Sequence, residues 1–137
     1  MKITSRTEYG LRAMVYLAGR TQEGPAPLSE IAASEGIPGP FLERILGQLR
    51  EAGLVRATRG ASGGYALARS PERVAVADVV TALEGPLTLV DCMLSDRSCA
   101  RAEGCASRVV WRRLDEAITE ALEGLSLRDL VAEGAPR

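Results

Sequence analysis

Apolar residues recur along this chain in two rhythms, and the switch between them divides it. Leu11, Met14, Val15 and Ala18 stand at i, i+3, i+4 and i+7, the spacing of one helix face. Ser5-Arg-Thr-Glu8 precedes them in the form of a capping box, so a first helix is expected from Ser5 to about Gly19. The stretch Thr21-Gln-Glu-Gly-Pro-Ala-Pro is turn chemistry. Ser29 is then expected to cap a short helix from Glu30 to Glu35, with Leu28, Ile31 and Ala32 inward, Gly36 ending it and Ile37 plugging the corner. Pro38 and Pro40 suit the first turn of a further helix, where a missing N–H costs little. Leu42, Ile45, Leu46 and Leu49 form its apolar stripe, and Glu43, Arg44, Gln48 and Arg50 lie off it. Two helices joined by so tight a glycine turn predict a helix-turn-helix, whose second member presents its N-terminal residues to the bases.

The rhythm then shortens to two. Val55 and Ala57 stand at every second position, as do Tyr65 and Leu67, on either side of Gly60-Ala-Ser-Gly-Gly64. That pattern predicts a two-stranded ribbon with a glycine-rich tip, the wing of a winged helix-turn-helix. Glycines there let the backbone approach a groove, and Arg59 supplies charge beside them; a plain solvent-exposed hairpin is the other reading. After the linker Ser70-Pro-Glu, helical spacing returns with Val76, Val79, Val80 and Leu83, until Gly85-Pro86 breaks it. A last long stripe runs through Trp111, Leu114, Ile118, Ala121, Leu122 and Leu125. Such a helix packs on its own domain or on a second copy. In a chain with a small core a partner helix is the more economical cover, so Trp111, Leu114, Ile118 and Leu122 are expected at a homodimer interface. Ser126-Leu-Arg-Asp129 is another capping box and starts a short final helix.

The expected fold is mainly α with a small β-ribbon. Residues 1–73 form the winged helix-turn-helix region, 74–106 a linking helix and cysteine loop, and 107–137 the dimerisation helix and C-terminal helix. A length of 137 residues suffices for one modest core. No apolar run reaches the ~18–20 residues that span a membrane, and no signal-peptide pattern opens the chain, so a soluble cytoplasmic protein without membrane attachment is expected. The net charge of −1 hides an asymmetry. Residues 1–73 carry ten Lys/Arg against seven Asp/Glu, and residues 74–137 carry seven against eleven. A basic N-terminal half is compatible with phosphate contact, although solvated surface charge gives the same count. With no histidine, no phosphate-binding loop and no convergent carboxylate pair, neither an enzyme nor a small-molecule substrate is expected.

All three cysteines fall in one polar loop, Cys92, Cys99 and Cys105, in the pattern C-x6-C-x5-C. An odd number so clustered argues for a metal or thiol site rather than a disulfide framework. Thiolates suit iron–sulfur clusters, zinc or copper(I), and Arg97 and Arg101 can stabilise them in a thiol switch. Burial as small apolar residues fits poorly with Asp91, Asp96, Arg97, Arg101 and Glu103 around them.

The blocks Ser5-Arg-Thr-Glu-Tyr-Gly-Leu-Arg-Ala-Met, Leu28-Ser-Glu-Ile-Ala, Phe41-Leu-Glu-Arg-Ile-Leu, Leu49-Arg-Glu-Ala-Gly-Leu-Val and Arg59-Gly-Ala-Ser-Gly-Gly-Tyr resemble the Rrf-two superfamily of bacterial regulators. With Leu127-Arg-Asp-Leu-Val the resemblance runs through nearly the whole chain in order. It implies a homodimeric winged-helix transcription factor, a repressor, that binds near-palindromic double-stranded operator DNA, with a long helix at about Ser107–Glu123 crossing its twin. By position it puts base contacts on Pro40, Glu43 and Arg44, the wing on Arg59, Ser62, Gly63 and Gly64, and a phosphate approach on Ser5, Arg6 and Thr7. It further implies an iron–sulfur cluster on Cys92, Cys99 and Cys105 that senses redox state, nitric oxide or iron–sulfur status. A cluster normally takes four protein ligands. In the IscR branch the fourth is a histidine three residues past the last cysteine; here that position is Arg108. In the NsrR branch it is an aspartate near the start of the first helix of the other subunit; the matching position is Glu8. The expectation is therefore a 4Fe–4S cluster, with 2Fe–2S as the alternative, completed by the partner's copy of Glu8 or by a labile non-protein ligand. A cluster-free regulator using a thiol switch, zinc or a metabolite is the other outcome.

Overall fold

The computed structural model describes residues 2–93 and 103–134. Cys99, with Asp96, Arg97 and Arg101, lies outside them. The stripes named above, except the last long one, supply the core. Helix α1 is Ser5–Ala18, α2 is Leu28–Glu35 and α3 is Gly39–Glu51. Met14 and Leu17 of α1, Ile31 of α2 and all four stripe residues of α3 (Leu42, Ile45, Leu46, Leu49) are at most 2% exposed. Burying each large side chain of this kind contributes about 1.5–3 kcal/mol before chain entropy is charged against it. Gly36 turns the chain between α2 and α3 with φ +65° and ψ +37°, the left-handed region, and Ile37 is buried at the corner as expected.

Two caps differ from expectation. Thr4, not Ser5, is the N-cap of α1, and no side chain of the helix's own turn caps it. Pro27, not Ser29, precedes α2, which begins two residues earlier than expected, at Leu28. In both cases an extended residue just upstream already has the backbone geometry a helix start requires, so the hydroxyl signal was displaced by one or two positions.

The ribbon pairs β1 (Val55–Thr58) with β2 (Gly64–Leu67) in antiparallel register, Val55 opposite Leu67 and Ala57 opposite Tyr65. Its base is stitched to the loop before α2, where Ala26 and Tyr65 exchange two backbone hydrogen bonds of 2.8 Å. Ser70-Pro-Glu is not a free linker. Pro71–Arg73 is a 3₁₀ turn, Pro71 is buried, and Arg128 donates to Glu72 at 2.8 Å.

Helix α4 (Val76–Glu84) inserts Val76, Val79, Val80 and Leu83 into the core, and the Asp78 carboxylate reaches back to the Ala75 N–H at 2.9 Å. A 3₁₀ turn at Asp91–Met93 precedes the cysteine segment, and α5 (Ser107–Glu123) follows it. Helix α6 (Leu127–Glu133) opens with the expected capping box: Ser126 Oγ accepts from the Asp129 N–H at 3.1 Å, and Asp129 accepts from the Ser126 N–H at 2.9 Å. Leu127 is fully buried, so α6 returns to the first region and packs on α1 and the Pro71–Arg73 turn. Backbone bonds Val76 N–H to Leu125 O (2.8 Å) and Leu127 N–H to Val74 O (2.9 Å) join the two ends of the excursion that carries the cysteines.

Candidate nucleic-acid interface and cysteine segment

Helix α3 turns its apolar stripe inward, which by helical geometry leaves Pro40, Glu43 and Arg44 exposed on the outer side. Arg6 of α1 lines one cleft of about 400 Å³ with Phe41, Arg44, Gly47, Gln48 and Glu51 of α3. Two guanidinium groups from different helices thus border one surface. Arg6 has a shielded Nε with no hydrogen-bond partner among the described residues. Arg59 and Ser62 are exposed at the ribbon tip.

The wing glycines have an internal role that the sequence did not reveal. Gly63 is buried, and a Cβ on it would lie 2.0 Å from the Thr58 carbonyl oxygen of the opposing strand. Gly64 has φ +143°, and its Cβ would lie 2.2 Å from the Ala26 carbonyl oxygen. These residues let backbone pack on backbone within the protein.

At the start of α1, Thr7 is turned inward, 2% exposed. Its hydroxyl donates to Glu84 Oε1 at 2.6 Å, and the same oxygen accepts from the Thr4 hydroxyl (2.6 Å) and the Thr4 N–H (2.8 Å). Glu84 ends α4, where a negative charge opposes the helix dipole; the start of α1 reverses that penalty. An acidic residue misplaced at a helix C-terminus was the one signal that could have identified it. The Thr4 hydroxyl, then the Thr7 hydroxyl and the Thr4 N–H, hold the Glu84 carboxyl down from the ordinary 4.5 to about 2. A carboxyl depressed in the folded state stabilises fully above its unfolded value and loses that contribution as pH falls toward the folded one. Glu84→Gln is therefore expected to be less stable than wild type at pH 7, with the gap narrowing between about pH 4.5 and 2. Urea unfolding at pH 7, 4 and 3 checks this; a gap that is constant with pH would show the carboxylate charge to be irrelevant.

Because Glu84 ties down this turn, Glu8 has no capping duty. Its side chain is exposed, without a hydrogen-bond or ion-pair partner among the described residues. Cys92 lies half-buried in the Asp91–Met93 turn, where Arg108 Nη2 donates to its carbonyl at 3.2 Å. Cys105 lies half-buried just before α5, its Sγ 3.1 Å from Ser107 Oγ. Two partly accessible thiols bracketing a third in sequence, with no histidine in the chain, fit a thiolate-ligated group whose fourth ligand is a carboxylate or a non-protein group. They do not fit a three-cysteine, one-histidine centre.

Helix α5 has no buried residue. Trp111, Ile118 and Leu122 are half-buried, Leu114 is 42% exposed, and Val109 and Val110, which the stripe analysis passed over, are each 51% exposed. Among the described residues no helix is long and apolar enough to cross a membrane.

Residues 3–133 match the Rrf2 family model, described as an iron-dependent transcriptional regulator. The chain is 37% identical over 131 residues to the HTH-type transcriptional regulator IscR of Xenorhabdus nematophila, covering 96% of this chain and 79% of that one. The structure of CymR, described as the global cysteine regulator of B. subtilis, superposes with a TM-score of 0.85 at 35% identity, over 97% of this chain and 98% of that one. T. potens IscR superposes with a TM-score of 0.80 at 34% identity, over 98% and 88%. With the helix pair, the ribbon after it and these relatives in agreement, the chain belongs to the Rrf2 family and is a winged-helix, DNA-binding transcriptional regulator.

Proposed function

We propose that this regulator binds operator DNA as a homodimer and senses redox state, nitric oxide or iron–sulfur status through a cluster on Cys92, Cys99, Cys105 and the partner's copy of Glu8. Pro40, Glu43 and Arg44 read the major groove: Arg44 can take a guanine bidentately and Glu43 can accept from cytosine, each worth about 1–3 kcal/mol of discrimination. Arg59 and Ser62, with the backbone at Gly63 and Gly64, follow the adjacent groove. Ser5, Arg6 and the turn built on Thr7 meet phosphate at the positive end of α1. When bound, the cluster supplies chemistry that oxidants, nitric oxide and iron shortage alter; the protein supplies three soft thiolates and one harder carboxylate.

The observation that carries the cluster reading is the uncommitted Glu8 carboxylate, exposed on a turn whose capping is done by Glu84. The test is the absorption spectrum, with iron and acid-labile sulfide assays, of protein purified without oxygen, beside Glu8→Ala. The expected result is a band near ~400 nm with about four irons and four sulfides per chain, weakened or lost in Glu8→Ala. An unchanged spectrum in Glu8→Ala removes Glu8 as ligand and leaves a non-protein group in its place.

The likeness to CymR, described as a global cysteine regulator, favours a second reading in which the thiols themselves are the switch. Cys105 beside Ser107 at the start of α5 is then the reactive group. A colourless, metal-free protein whose DNA affinity responds to thiol oxidants would establish that reading over the first.

A further inference from the structure

We infer that Glu84 is a positioning residue for DNA binding, which from the last turn of α4 holds the first turn of α1, and with it Arg6, in the pose that meets phosphate. This rests on the reading that the N-terminal turn of α1 contacts the DNA backbone. Three hydrogen bonds converge on one oxygen of Glu84, from two residues that bracket Arg6 in sequence. Arg6 makes none itself among the described residues, and it borders the same cleft as Arg44 and Gln48. Its pose therefore depends on the turn that carries it and on its attraction to the Glu84 carboxylate.

The joint is stiff one residue earlier in α4, at Leu83. A Cβ at Gly10 would lie 2.3 Å from Leu83 Cδ1 and 3.2 Å from Ile45 Cγ2, so α1 lies against α4 and α3 with no room for a side chain. Immediately after Glu84 the chain swivels at Gly85, with φ +81° and ψ −157°, and Pro86 leads into the segment that bears Cys92. Glu84 is thus the last fixed point of the reading head before the cysteine segment.

The test is the salt dependence of binding to a duplex selected from a random-sequence pool by the wild-type protein. Four proteins are compared: wild type, Arg6→Ala, Glu84→Gln and the double variant. Loss of one phosphate contact lowers the slope of log K against log salt by about 1, so a homodimer that loses one contact in each protomer lowers it by about 2. Arg6→Ala and Glu84→Gln are each expected to show that reduction, and the double variant no more than either alone. A general loss of stability would lower affinity without making the two slopes non-additive. Thr7→Val removes a donor to Glu84 while keeping the packed volume, and it carries the test if Glu84→Gln folds poorly. If Arg6→Ala lowers the slope and both Glu84→Gln and Thr7→Val leave it at the wild-type value, the proposal is overturned and the phosphate contact stands. If Arg6→Ala has no effect, the phosphate contact is wrong and the proposal goes with it.

Discussion

Changing Val110 and Leu114 together to glutamate is expected to yield a monomer whose operator affinity is lower by about 10²-fold or more. The two residues lie one helical turn apart on α5, and in the single chain they are 51% and 42% exposed. A 17-residue helix with no buried side chain gains little from its own domain, and isolated helices of about that length are only marginally stable in water. In the proposed homodimer a second copy covers the apolar side, and with it brings a second reading head to the adjacent half-site. Glutamates opposed across the pairing would repel and would also need dehydrating. Once the copies separate, each head binds without the high effective concentration that its twin provides. Sedimentation and DNA binding at one fixed salt concentration measure both effects. A variant that remains dimeric with wild-type affinity would move the interface off this face of α5.

The second large effect is expected at the base of the wing. Gly64→Ala puts a methyl group where the Ala26 carbonyl stands 2.2 Å away, at a φ of +143° that alanine rarely adopts. Neither neighbour can yield cheaply, because the Ala26–Tyr65 pair of hydrogen bonds fixes that backbone against β2. Overpacking and backbone strain each cost about 1–3 kcal/mol, so a loss of about 2–6 kcal/mol is expected. The urea midpoint should fall accordingly. Gly60→Ala provides the contrast. It too has a positive φ, +104°, but nothing lies within 4 Å of the added carbon, so only the strain remains. Equal losses in the two variants would mean that the contact with Ala26 is unimportant.

The parts of the fold legible in the sequence are those in which local pattern and tertiary burial agree. The Leu42–Ile45–Leu46–Leu49 stripe, the Gly36 turn, the ribbon and the capping box at Ser126 each combine a short-range signal with a matching long-range contact. What could not be read came from partners distant in sequence. The capping role expected of Ser5 and Glu8 passed to Glu84, on another helix. The wing glycines are expected to let the backbone approach DNA, and their missing side chains also make room for the backbone of Thr58 and Ala26. Val109 and Val110 escaped because the stripe was begun at Trp111. At the candidate sensing segment, sequence supplied the residue types and their spacing. The description of Cys92, Cys105 and Glu8 adds which side chains are accessible and which have other commitments.

The stitch between Ala75 and Ser126 bears on how such a protein can change over generations. The chain leaves the reading head and rejoins it at neighbouring backbone positions, so the head is closed on itself whatever the intervening length. Closing a flexible loop costs free energy that grows only with the logarithm of its length, about 0.6 kcal/mol for each doubling. Residues can therefore be inserted or deleted around the cysteines with little penalty to the head. Only α4, whose valines fill the core, and the Glu84 latch restrict where such changes can fall. One inherited reader can thus be refitted for a different signal by editing a single stretch of the gene, while the surface that recognises DNA is passed on intact.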